Sequence, residues 1–116
     1  MRKRGGMVAL AAAMAAGALG LASPAAALVS NYPGGGYSED ILNRQFIRAC
    51  DTNADGNGVY ANFWETGQSN HDTVTNNQGA RTCNGATSGS TRLIRAHIIF
   101  INLAWRPDPH GPCVSY

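Results

Sequence analysis

Thr91-Arg-Leu-Ile-Arg-Ala-His-Ile-Ile-Phe-Ile-Asn-Leu-Ala-Trp105 is where the fold is settled. Leu93, Ile94, Ile98, Ile99, Phe100, Ile101, Leu103 and Trp105 crowd this run with β-branched and aromatic side chains, which suit a pleated, buried surface better than a helix. It reads as a central strand. Alternation places Ile94, Ala96, Ile98 and Phe100 on one face and Leu93, Ile99, Ile101 and Leu103 on the other, with Arg95 and His97 opening the second face at its start. A membrane span fits poorly, because the run is too short and would carry Arg95 and His97 into lipid.

Outward from this strand the chain reads as further strands separated by turns. Pro107, Pro109 and Pro112 interrupt regular structure, and Cys113 to Tyr116 is expected to return as a short final strand. Thr66 to Ser90 is polar, with short edge strands expected at 72–75 and 79–83. Asp51 to Gly58 is dense in Asp, Asn and Gly and precedes the aromatic run Val59 to Trp64, a pattern that predicts a hairpin. Ile41 to Cys50 fits either a helix face or a strand, and its second half is read as strand. Leu28 to Asp40, with Pro33-Gly34-Gly35-Gly36 inside it, reads as a flexible arm, so the folded domain is expected over 41–116.

The first 27 residues carry a different message. Arg2, Lys3 and Arg4 precede an apolar run from Met7 to Leu21, and Ser23-Pro-Ala-Ala-Ala27 supplies the small residues of a cleavage site, which together predict a secretory signal cut after Ala27. No membrane anchor is expected from a run of this length. Without 1–27 the chain has 89 residues, six basic and seven acidic, and no lysine. That balance argues against a polycationic binder of nucleic acid or anionic membranes.

Export also changes the reading of Cys50, Cys83 and Cys113. In an oxidising setting a small domain ties cysteines into disulfides, and three cannot all pair within one chain. Cys50 with Cys83 is the pairing taken, leaving Cys113 unpaired; the other two pairings stay open. An odd thiol also admits a disulfide-linked homodimer. A metal site on these cysteines has little support, since no C-x-x-C occurs and His71, His97 and His110 do not cluster beside them in sequence.

Three constellations can carry function. Asp51-Thr-Asn53-Ala-Asp55-Gly56-Asn57 matches the opening of a calcium loop, with Asp51, Asn53, Asp55 and the Asn57 carbonyl as the oxygen ligands, but Asn62 stands where the bidentate carboxylate belongs, and the run is read first as a turn. No cofactor is therefore expected, with calcium the alternative. Glu65, Arg81 and His97 or His71 compose a general base, a phosphate clamp and a general acid, and Gly79-Ala-Arg-Thr82 is similar to a stretch of bacterial guanyl-specific ribonucleases. Isolated Glu, Arg and His on strands are more often surface residues, so the enzyme is the runner-up. Tyr60, Trp64 and Trp105 are the candidate binding residues, since Tyr and Trp dominate contact surfaces, and Tyr60 and Trp64 share a strand face.

The run Cys50-Asp-Thr-Asn-Ala-Asp-Gly-Asn-Gly-Val-Tyr60, with the late strand at Leu93 to Ile101, resembles small secreted actinobacterial proteins of unknown function. The resemblance implies export and a short β domain with an even number of cysteines, from which Cys113 departs; it implies no activity. Taken together, the expectation is an all-β chain, a small antiparallel β-sandwich behind a cleaved signal peptide. Its expected role is as a secreted non-enzymatic binding or interaction protein for an extracellular protein or carbohydrate.

Overall fold

The computed structural model describes residues 27–89 and 91–116, so the expected leader lies outside the described residues apart from Ala27. Eight strands follow in order: β1 (Val29–Tyr32), β2 (Gly36–Ile41), β3 (Phe46–Asp51), β4 (Val59–Glu65), β5 (Asp72–Asn76), β6 (Thr82–Thr87), β7 (Ile94–Ile101) and β8 (Val114–Ser115). They form two antiparallel four-stranded sheets, β1-β2-β3-β6 and β5-β4-β7-β8. Ile47 and Ala49 from the first sheet meet Val59, Ala61, Phe63, Val74, Ile94, Ile99 and Ile101 from the second, the apolar core of a β-sandwich.

Residues 28–40 are not an arm. Pro33 and Gly34 make the turn of a β1–β2 hairpin, closed by Gly35 N–H donating to the Tyr32 carbonyl at 3.0 Å, with Gly34 at φ +77°. The composition misled because this hairpin turns Ser30, Ser38 and Asp40 inward, so it shows no apolar period. The Asp51–Gly58 turn also differs from expectation: β3 and β4 belong to different sheets, so the loop crosses between sheets instead of closing a hairpin. The edge strand expected at 79–83 begins at Thr82 and runs to Thr87.

β7 lies at the interior of its sheet, between β4 and β8. Its faces differ from simple alternation because the register slips by one residue: Glu65 opposes Ile94 while Trp64 opposes Ala96, leaving Arg95 as an extra residue. Such a bulge reverses which side chains face inward. Ile94 therefore joins His97, Ile99 and Ile101 on the core side, and His97, expected to open that face to solvent, is fully buried.

Cys50 and Cys83 oppose each other on β3 and β6 and are joined by a disulfide, while Cys113 is free and exposed. The bridge spans 33 residues of sequence, a loop whose closure contributes roughly 3 to 4 kcal/mol. The β2–β3 turn is unusual in another way: Leu42, Asn43 and Arg44 are all left-handed, at φ 55°, 54° and 69°. Each such non-glycine residue costs about 1 kcal/mol or more. What holds the turn is Arg44, whose carbonyl accepts from Ile94 N–H at 2.8 Å and whose Nε donates to the Ile94 carbonyl at 2.9 Å, clasping one sheet to the other.

Candidate functional site

The side chains grouped as a ribonuclease-like set do not meet. Arg81 sits in the β5–β6 turn, where its N–H donates to the Asp51 carbonyl at 2.7 Å, beside the start of β4. Glu65 ends β4, six residue steps and so about 20 Å along the strand. There its carboxylate accepts from Gly89 N–H at 2.9 Å and faces Arg92 Nη1 at 3.8 Å, holding the β6–β7 connection. His71 is exposed and meets the Trp64 ring edge-on at 5.4 Å. His97 points into the sandwich, away from all three.

In the Asp51 loop, Asp51 Oδ1 accepts from Asn53 N–H at 3.0 Å and Asp55 Oδ1 accepts from Asn57 N–H at 2.9 Å. Both are side chain to backbone turns of the kind Asp adopts without a cation. Gly56 takes φ +79°, as the turn requires. Among the described residues no group of three or more His, Cys, Asp or Glu side chains is placed to hold a metal ion.

The aromatic residues form a more coherent arrangement. Tyr60, Asn62 and Trp64 point outward from β4, opposite Phe100, Ile98 and Ala96 of β7. The Tyr60 and Phe100 rings stack at 4.9 Å with 8° between planes, and His110 tilts against Phe100 at 5.4 Å. The Tyr60 hydroxyl donates to Asp108 Oδ2 at 2.6 Å, and Leu103 N–H donates to Asp108 Oδ1 at 2.8 Å. Burial, then that hydrogen bond, pushes the Tyr60 phenol up to about 12, while the same hydrogen bond lowers Asp108 below the usual carboxylate range. Asp108 thereby pins the loop after β7 to the face of the sheet. That loop carries Trp105, 74% exposed, with the Arg106 guanidinium over its ring at 4.5 Å. Of the other aromatics, Phe63 is buried in the core and Tyr32 packs against it.

Sequence reasoning missed a buried polar cluster. Ser38 Oγ lies 2.7 Å from His97 Nδ1, and His97 Nε2 lies 2.9 Å from Asp40 Oδ2; the three residues are 0%, 0% and 1% exposed. Tyr116 donates its hydroxyl to Asp40 Oδ1, and the Arg44 guanidinium lies 4.0 Å over the Tyr116 ring. Ser30 Oγ donates to the Pro112 carbonyl at 2.6 Å and accepts from Ile99 N–H at 3.2 Å. Gly111 allows this approach, since a Cβ there would stand 2.8 Å from the Asn31 carbonyl oxygen.

Burial lowers the His97 pKa, partly offset by the Asp40 hydrogen bond and charge. The neutral ring has one N–H, which serves Asp40 from Nε2 and leaves Nδ1 to accept from the Ser38 hydroxyl. Burial first, and then the hydrogen bond to Asp40, pushes the Tyr116 phenol up to about 12. The residue types are those of a nucleophilic triad, yet no substrate reaches side chains with no exposed surface. What this arrangement does is tie β1, β2, β7 and the C-terminal segment together. No family model, curated protein or solved structure matches the chain.

Proposed function

We propose that the chain is exported and acts outside the cell as a non-enzymatic binding protein, using the outer face of β4 and β7 and the Trp105 loop beside it. The observation that carries this reading is the placement of the rings. Tyr60, Trp64 and Phe100 lie half-buried on an outer face and Trp105 is exposed, while polar groups occupy part of the interior. Aromatic rings with an adjacent arginine are the residues that dominate contact energy at protein interfaces, and the Asp108 pin holds the Trp105 loop in place before binding. The partner is read as a protein surface, because Tyr60 and Phe100 each give one ring face to the other instead of offering it to a sugar. The Cys50–Cys83 disulfide supports the extracellular setting.

The experiment is capture of a partner from extracellular material with the wild-type chain, Trp105→Ala with Tyr60→Ala, and Arg48→Ala on the opposite sheet. The aromatic variant is expected to lose at least about tenfold in affinity for the captured protein while Arg48→Ala keeps it. Equal retention by all three, or binding only to glycans, would contradict the assignment.

A further inference from the structure

Asp40 presents an interior carboxylate whose charge is poorly matched. Among the described residues its ion-pair partner is His97, at 2.9 Å, and burial keeps that ring neutral. A carboxylate taken out of water needs a cation or several donors to compensate. It has the donors: His97 Nε2, the Tyr116 hydroxyl and the backbone nitrogen of Leu28, 3.3 Å from Asp40 Oδ2. Leu28 is held in place by its own carbonyl, which accepts from Asp40 N–H at 3.4 Å and so extends the β1–β2 ladder by one pair. Ala27, on the other side of that nitrogen, is exposed.

The residue whose nitrogen meets Asp40 is also the first one behind the expected cut: the small-residue pattern Ala25-Ala26-Ala27 predicts cleavage between Ala27 and Leu28. We propose that this cleavage completes the interior, the α-ammonium of the new N-terminal Leu28 forming an ion pair with Asp40 that fastens the β1–β2 hairpin to β7 and the C-terminal segment. The chemistry is hydrolysis. Water adds across the Ala27–Leu28 amide, the C–N bond breaks, Ala27 leaves as a carboxylate, and the Leu28 amine takes up a proton. Before cleavage Asp40 meets a neutral amide; afterwards it meets a cation at the same position.

The groups around this ammonium are Asp40 and Glu39 on β2, His97 on β7, and Tyr116 with Arg44 stacked on its ring. Glu39 is already engaged by Arg48 at 2.7 Å, leaving Asp40 as the partner. An α-amine titrates near 7.7 to 8.0 when free, and a carboxylate beside it raises that value in the folded state. The stabilisation is then full below about pH 7.7 and is lost as pH rises through the raised value. The inference rests on the export part of the proposed function and is independent of the aromatic face.

The test uses a convenience of the sequence. Lys3 is the only lysine and departs with the leader, so the mature chain has one aliphatic amine, at its N-terminus. Full-length precursor is expressed, the exported protein is recovered and its N-terminus is sequenced, with Leu28 expected. Acylation by an amine-reactive reagent at pH 7.5 is then compared for the native protein and for the chain unfolded in urea. Native acylation is expected to be about sevenfold slower, the factor that one unit of raised pKa imposes on the unprotonated amine at this pH. Protein acylated while unfolded and then refolded is expected to lose the fall in stability between pH 7 and 9. Asp40→Asn is expected to bring native acylation up to the unfolded rate; should that variant not fold, the wild-type comparison decides alone. Equal rates in native and unfolded chains beginning at Leu28 would overturn the ion pair. A mature N-terminus at any other residue would overturn the proposal through the cleavage site, and precursor that stays uncleaved inside the cell would sink the export reading itself.

Discussion

On one side of β7, His97 joins Ser38, Asp40 and Tyr116 in a network closed to solvent; on the other, Phe100 and Ile98 lie half open beside Tyr60 and Trp64. The polar groups are inside and the rings outside, the reverse of what residue polarity suggests. The interior groups are tolerated because donors and acceptors match: a neutral imidazole between a hydroxyl and a carboxylate leaves neither nitrogen unpaired. The outer rings remain because the apolar core is already filled by Ile47, Val59, Phe63, Ile94, Ile99 and Ile101. Burial in this small sandwich follows hydrogen-bond satisfaction as much as hydrophobicity.

The most severe way to break that contrast is Asp40→Ala, which strands the donors of His97, Tyr116 and Leu28. A loss of about 3 to 5 kcal/mol is expected, comparable with about 2 to 5 kcal/mol for Ile99→Ala in the apolar half. Urea midpoints measure both, and a cost under about 1 kcal/mol for Asp40→Ala would mean that the network adds little to stability. Next in size is the disulfide: Cys50→Ser with Cys83→Ser is expected to lower stability by roughly 3 to 4 kcal/mol. Melting of the oxidised and variant proteins under one buffer gives the difference.

Between pH 7.5 and 5 acidification reaches His97 in the polar half, well before Asp108, whose lowered pKa keeps its pin on the aromatic half. Because the folded-state pKa of His97 is lowered, its contribution is complete above about pH 6.5 and is lost as pH falls below that, with a slope of at most about 1.4 kcal/mol per unit from this group. Urea midpoints from pH 7.5 to 5 are expected to fall in the wild type and to flatten in His97→Gln; the same slope in both would assign the acid sensitivity elsewhere. The smallest effect is expected at the left-handed turn that aims Arg44 at Ile94 and Tyr116. Leu42→Gly, at a position 68% exposed, is expected to stabilise by about 0.5 kcal/mol, the relieved backbone strain outweighing the greater freedom of glycine in the unfolded chain. A destabilised variant would show that Leu42 makes contacts that matter more than its backbone.

Some of this was readable in advance. The β-branched run over 94–101, the aromatic run at 59–64 and the final strand near 113–116 announced themselves through side-chain type, and a disulfide was expected of a small domain with three cysteines, although only the fold selected Cys50 with Cys83 from the three possible pairs. Tyr60 and Trp64 do share an outer face. The inward residues of the β1–β2 hairpin were not legible, because Ser30, Ser38 and Asp40 give no apolar signal. The burial of His97 was not legible either: alternation puts it on the face of Ile99 and Ile101, but a histidine there reads as the solvent end of that face until Ser38 and Asp40 arrive from the other sheet. The separation of Glu65 from Arg81 depended on β4 running the length of the sandwich between them.

Local chemistry, then, specified the strands rich in β-branched and aromatic side chains, which prefer the extended backbone, and the Pro-Gly and Asn-Gly runs that bend it, but not β1 and β2. It also raised the expectation of an exported chain and marked the cysteines as candidates for pairing. Which face of each strand is buried was decided only in three dimensions. Asp40, Ser38 and His97 each would stay in water alone, and they are interior because the two sheets bring one's donor to another's acceptor across 57 to 59 residues of chain. A hydrogen bond satisfied at that separation leaves no periodic trace in sequence, so the buried network became visible only with the fold.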